Sequence, residues 1–134
     1  MKKQTIMIVD DEERLVVNTT KIFERLGTSV LRASRGEEAL LLLEKHDVDV
    51  IFLDVNMPGM DGLETLAAIK KSHPLVEVIM ITGTFSREQA AEGLRLGAYD
   101  FLIKPVNISE LVAKADEAYN KRKAMEEKLR MVSE

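Results

Sequence analysis

Val50-Ile51-Phe52-Leu53-Asp54-Val55-Asn56-Met57-Pro58-Gly59-Met60-Asp61-Gly62 is the stretch that decides how this chain is read. Consecutive apolar residues end at a carboxylate, and a Pro-Gly turn follows within five positions. Apolar side chains on both faces of so short a run predict a strand covered on both sides, as in a parallel sheet. Asp54 then stands where the strand leaves the core. In open α/β sheets ligands bind just beyond the carboxyl ends of strands, which makes an acid there a candidate for chemistry. Taken alone, the stretch equally allows an Asp that only hydrogen-bonds the turn after it.

The rest of the chain bounds the problem. At 134 residues it is one ordinary domain, long enough for a real core and too short for two. A formal net charge of -4 and a pI near 5.3 offer no field that recruits nucleic acid or an acidic membrane, so neither is expected as a direct partner. Cysteine is absent, which removes disulfides, thiolate zinc sites and cysteine nucleophiles together. The basic start at Met1-Lys2-Lys3 has the flavour of a signal peptide. Its apolar stretch Ile6 to Val9 is cut off by Asp10-Asp11-Glu12-Glu13. No run approaches the ~18 apolar residues of a membrane span, and a cytoplasmic location is the expectation.

Short apolar runs alternate with longer amphipathic segments. The runs are Thr5 to Val9, Ser29 to Ala33, Asp49 to Leu53, Val76 to Thr82 and Tyr99 to Ile103. Between them, residues such as Leu15, Val16, Thr19, Ile22, Phe23 and Leu26 keep one stripe on one helical face. Strict alternation with short links predicts a (βα)5 doubly wound parallel sheet. Helix starts are marked by capping-box spacings at Ser34 with Glu37, Asp61 with Glu64, Ser86 with Gln89 and Asn107 with Glu110. Gly27 and Gly97 follow apolar stripes, where a left-handed closing residue is wanted.

The last segment is longer than the sheet requires. A helix from Ile108 to Val132 would reach ~37 Å, against ~17 Å for a five-residue strand. About half of it must project, which divides the chain into a domain over 1–120 and a helical extension over 121–134. Leu111, Ala115, Ala118, Arg122, Met125, Leu129 and Val132 form a heptad seam broken once by Arg122. Either the seam is a linker or homodimer contact, or its first three residues pack on the sheet and the rest is a solvated, fraying tail.

Asp10 and Asp11 also end an apolar strand, Ile6 to Val9. With strand order 2-1-3-4-5 that strand neighbours the one ending in Asp54, and three carboxylates converge. Like charges so close cost stability unless a cation sits among them. Oxygen-only donors with room for water favour Mg²⁺ over Ca²⁺. Asp10-Asp11 could also simply cap the first helix. The remaining strand ends supply a hydroxyl at Thr82 and a cation at Lys104, just before Pro105. A carboxylate, a metal, a hydroxyl and an ammonium on one rim would surround a transferring phosphoryl group.

These motifs resemble the receiver domain of two-component response regulators. The matching residues are Ile8-Val9-Asp10-Asp11, Leu53-Asp54-Val55-Asn56-Met57-Pro58-Gly59-Met60-Asp61-Gly62, Ile81-Thr82-Gly83 and Gly97-Ala98-Tyr99-Asp100-Phe101-Leu102-Ile103-Lys104-Pro105, in the family's order and covering residues 4 to 120. The resemblance implies a flavodoxin-like, CheY-like fold with an extended C-terminal helix. It implies Asp54 as phosphoacceptor, taking a phosphoryl group from a sensor histidine kinase or phosphotransfer protein. Mg²⁺ would be held by Asp54, Asp11 directly, Asp10 through water and Asn56 through its backbone carbonyl. Lys104 would pair with a phosphoryl oxygen, Thr82 would move to another, and Phe101 would swing after Thr82. Phe101 lacks the hydroxyl that the family often has there, so its preference must come from packing.

The implied output is a changed surface on the fourth helix, fifth strand and fifth helix, which could also serve a homodimer. Asn56 and Thr84 resemble the variable positions flanking the path of hydrolytic water; neither is acidic, which predicts an acyl phosphate that is not unusually short-lived. The domain is expected to be a signalling module and not an enzyme, assisting only its own phosphorylation and dephosphorylation. Two other readings stay open: a small phosphatase passing through an aspartyl phosphate, and a constitutive docking or dimerisation module. The first usually wants a second acid two positions after its nucleophile, where this chain has Asn56. His46 and His73 look like helix-end residues, without metal spacing.

Overall fold

The computed structural model describes residues 4–133 other than Pro58 and Phe85. Ten elements alternate: β1 (Thr5–Val9), α1 (Glu13–Arg25), β2 (Ser29–Ala33), α2 (Gly36–Lys45), β3 (Val50–Asp54), α3 (Gly62–Ser72), β4 (Glu77–Thr82), α4 (Arg87–Arg95), β5 (Asp100–Ile103) and α5 (Ile108–Ser133). All five strands are parallel, in the order β2-β1-β3-β4-β5. The strand runs read from the sequence shift by one residue at the start of β3, β4 and β5, and Asp54 is the last residue of β3 rather than the first beyond it.

Successive residues of each strand point to opposite faces, and each face builds its own core. Met7, Val9, Ile51, Leu53, Val78 and Met80 meet Ala39 and Leu43 of α2 and Leu66 and Ile69 of α3. Ile6, Ile8, Val50, Phe52, Ile79 and Ile81 meet Val16 and Phe23 of α1 and Leu111, Ala115 and Ala118 of α5. This is why β3 and β4 are buried without interruption while β2, at the sheet edge, is only partly buried.

Three of the four capping motifs form. Asp61, Ser86 and Asn107 accept from the backbone N–H of Glu64, Gln89 and Glu110 at 2.8, 3.2 and 2.8 Å. Ser34 is the exception. Helix α2 is preceded by Arg35, whose side chain makes no cap bond, and the N–H of Ser34 donates instead to the carboxylate of Glu38 at 2.6 Å. Glu38, one residue later than expected, reaches back and leaves the Ser34 hydroxyl no capping role. Gly27 and Gly97 lie in the left-handed region, with φ of 86° and 105°, where α1 and α4 close.

Helix α5 is continuous to Ser133. Leu111, Ala115 and Ala118 pack on the sheet, and Arg122 is buried with them instead of breaking the stripe. Met125, Leu129 and Val132 are exposed.

The start of α3 presses directly on the end of β3. Gly62 N–H donates to the Val55 carbonyl at 3.0 Å, and a Cβ on Gly62 would stand 2.5 Å from Val55 Cα and 2.8 Å from the Asp54 carbonyl oxygen. Backbone cannot yield there as a flexible side chain would. Gly62→Ala is therefore expected to cost about 1–3 kcal/mol in urea unfolding, with the loss carried by displacement of the Asp54–Val55 backbone.

Candidate functional site

Parallel pairing brings the site together. Val9 is in register with Leu53, and Asp54 with Ile81, so Asp10, Asp54 and Thr82 leave neighbouring strands side by side. Carboxylate oxygens of Asp10, Asp11 and Asp54 all lie within 4.8 Å of one another. Asp10 and Asp54 are buried and Asp11 is exposed, so the cluster opens to solvent on one side. These are hard oxygen donors without nitrogen or sulfur, and the arrangement suits a hydrated Mg²⁺ ion.

The backbone already orients two of the acids. Asp10 Oδ1 accepts the N–H of Glu12 at 2.9 Å, and Asp54 Oδ1 accepts the N–H of Asn56 at 3.2 Å. Asp10 thus braces the turn before α1 from outside the helix, and the residue immediately preceding that helix is Glu12. Lys104 follows β5 with a cis peptide bond to Pro105, and its N–H donates to the Thr82 carbonyl at 2.7 Å. Its Nζ lies 3.0 Å from Asp10 Oδ2, 4.0 Å from Asp54 Oδ2 and 3.8 Å from Glu12 Oε2. Burial pushes the Lys104 ammonium down, but the hydrogen bond and charge of Asp10, with Asp54 and Glu12, outweigh it and hold its pKa above the ordinary value. Burial pushes the Asp54 carboxyl up to about 6, and the neighbouring Asp10 adds to it. The Asn56 N–H and Lys104 oppose that rise, and Asp11 adds slightly.

The hydroxyl side of the rim is engaged elsewhere. Thr82 Oγ1 donates to the Thr84 carbonyl at 2.8 Å and accepts the Thr84 N–H at 3.2 Å, with Asn56 Nδ2 at 3.5 Å. Asn56 and Thr84 are exposed. Phe101 is half-buried against the core beneath α2, α3 and α4. With Thr82, Val55, Met80, Gln89 and Ala90 it borders a small cavity between β4, α4 and β5.

Two features escape a reading of the sequence. Glu12 joins the ion pairs of Lys104, although it reads only as one more acid before α1. A cleft of about 480 Å³ opens between α1 and the start of α5, with Leu15, Ile22, Phe52 and Ile108 in its wall and Asp54 and Lys104 at its polar end. Leu15 and Ile22 belong to the apolar stripe of α1, and nothing in that spacing distinguishes a cleft wall from core. His46 and His73 follow α2 and α3 at the opposite end of the sheet, as helix-end residues.

The family model of the response regulator receiver domain matches residues 6–116. The transcriptional regulatory protein CpxR of Escherichia coli (strain K12) is 41% identical over 109 residues, covering 81% of this chain. The chain spans only 46% of the length of CpxR. Among solved structures, a CheY-like response regulator receiver domain protein from Methanospirillum hungatei JF-1 superimposes with a TM-score of 0.89 at 31% identity, covering 92% of this chain and 99% of that one. NtrX from Brucella abortus gives 0.89 at 32% identity, covering 97% of this chain and 30% of NtrX.

The raised Asp54 pKa has a sign that unfolding can read. Between its ordinary value of 3.8 and about 6 the folded protein holds more protons than the unfolded one, so stability falls as pH rises through that window. Below it the cost of the buried carboxylate is absent; above it the cost is complete. In chelator near neutral pH, Asp54→Asn is expected to raise unfolding stability by about 1–2 kcal/mol, after allowing for partial solvent screening. Urea titrations of both proteins should converge once the pH falls below about 4.

Proposed function

We propose that this chain, which belongs to the response regulator receiver domain family, is a phosphorylation-driven switch with Asp54 as its phosphoacceptor. The observation that carries the reading is the convergence of Asp10, Asp11 and Asp54 within 4.8 Å, with Lys104 Nζ reaching both buried acids, at the sheet end where this fold binds ligands. The phosphodonor is a phosphohistidine on a sensor kinase or phosphotransfer protein. An Asp54 carboxylate oxygen attacks its phosphorus, the phosphorus–nitrogen bond breaks, and the imidazole leaves with the bonding pair and takes up a proton. Asp54 then carries an acyl phosphate, which water later hydrolyses at phosphorus to restore the carboxylate and release phosphate.

Asp10, Asp11, Asp54 and the Asn56 carbonyl would hold Mg²⁺, which supplies charge neutralisation for the incoming phosphoryl oxygens. Lys104 is the protein's own cation at the site and pairs with one such oxygen. Its existing hydrogen bond to Asp10 and longer ion pair with Asp54 keep it extended over the rim before the phosphoryl group arrives. The new group brings roughly -1.5 to -2 charges and strong acceptor oxygens into a confined space. The Thr82 hydroxyl, now bonded to Thr84, exchanges that carbonyl for a phosphoryl oxygen, and Phe101 moves into the space beside it. The surface formed by α4, β5 and α5 changes with these two residues. The receiver unit up to residue 120 forms the switch, and the rest of α5 extends it as a helix to Ser133, a linker or coiled-coil segment.

Incubation with a small-molecule phosphodonor and Mg²⁺ should add one phosphate by intact mass. Asp54→Asn should add none, and omission of magnesium should abolish the product; equal labelling of the Asn variant would end this reading. Asn56→Glu or Thr84→Glu is expected to change the decay rate of the phosphorylated protein, because both side chains are exposed beside Asp54 and Thr82. Unchanged decay in both variants would remove these positions from the hydrolytic path.

A further inference from the structure

The end of the sheet remote from the acid cluster carries a second set of buried charges that the switch chemistry does not use. Asp49, immediately before β3, and Glu77, the first residue of β4, are buried carboxylates. Three consecutive basic residues of α5 meet them. Lys121 Nζ lies 3.2 Å from Glu77 and 5.5 Å from the Tyr99 ring centre. Lys123 Nζ lies 3.5 Å from Asp49. Arg122, between them, is 8% exposed, and each of its guanidinium nitrogens has an acceptor. One donates to the carbonyl of Val48, a second to Asp47 at 2.9 Å, and Nε to Glu126 at 2.7 Å, one turn further along the same helix.

We propose that Lys121-Arg122-Lys123 is an ionic lock that fixes the direction in which the C-terminal helix leaves the domain, so that residues 123–133 project as a rigid lever. Surface ion pairs alone hold little. Arg122 differs because its planar fork is desolvated and satisfied on every nitrogen, two of them by groups that precede β3. Removing the guanidinium would leave buried Asp49 with Lys123 as its remaining cation among the described residues and leave the Val48 carbonyl without that donor. The bond to Glu126 carries the constraint past the last buried position. Beyond Glu126, the described residues hydrogen-bond and ion-pair only within the helix, as in Arg130 with Glu127. Without the lock the tail would fray and swing about the last apolar contacts, Ala118 and Tyr119. The gripped strands, β3 and β4, are those that end in Asp54 and Thr82, so a shift of either strand along its axis would be passed to the exit helix.

The chain lacks cysteine, so paired labels can be placed uniquely. Spin labels at Ser72→Cys and Lys128→Cys in the full chain should give one narrow distance distribution. Arg122→Met, which keeps the apolar stem, should broaden it severalfold and speed amide exchange of residues 124–131 by about tenfold or more. Exchange in β1 and β3 and magnesium binding at the acid cluster should stay as in the parent. A broad distribution in the parent would overturn the lock whatever the variant does, including a variant that fails to fold. A folded Arg122→Met protein with parental width and exchange would overturn it equally.

Discussion

Parallel strand pairing forces like charges together here, and much of the rest of the structure follows from that constraint. Val9 with Leu53 and Asp54 with Ile81 are fixed by ladder hydrogen bonds and by side chains buried on both faces, so neither strand can slip to separate Asp10 from Asp54. The repulsion is met locally by Lys104 and by backbone N–H groups of Glu12 and Asn56, and it shows in the raised Asp54 pKa. A site under that tension gains from any cation that enters it.

The two ends of the sheet manage charge in opposite ways. At the carboxyl end the carboxylates outnumber the one ammonium that meets them among the described residues, and Asp11 faces solvent, leaving capacity for a ligand. At the amino end Asp49 and Glu77 are matched by Arg122, Lys123, Lys121 and Lys70, with Lys70 also bonded to the carbonyls of Pro74 and Val76. Burial lowers the Lys70 pKa, with Glu77 opposing that shift. An end whose buried carboxylates each meet cations is suited to holding a helix in place, and an end with excess carboxylate is suited to binding. Both ends are built on the same two strands, because β3 and β4 carry one kind of end on each tip.

Much of this was legible in order. The run ending at Asp54, the repeats of short strand and amphipathic helix, and the turn residues at Asp61, Ser86 and Asn107 all state local preferences that the tertiary structure does not override. Ser34 was misleading because Glu37 and Glu38 both sit within reach, and spacing alone cannot say which carboxylate turns back to the chain. Arg122 was misleading in another way. A cation on an apolar seam reads as a defect until its acceptors, more than seventy residues earlier in sequence, are known to lie beneath it.

The sequence by itself determined the alternating architecture, the acids and the lysine at strand ends, and the family resemblance, since each rests on periodicity or on residues adjacent in the chain. Only the tertiary structure decided that Glu12 joins Lys104, that a cleft opens beside Asp54, and that the outer half of the long helix is anchored through Arg122. Those depend on distances between segments remote in sequence, which pairing and packing set and which no local pattern encodes.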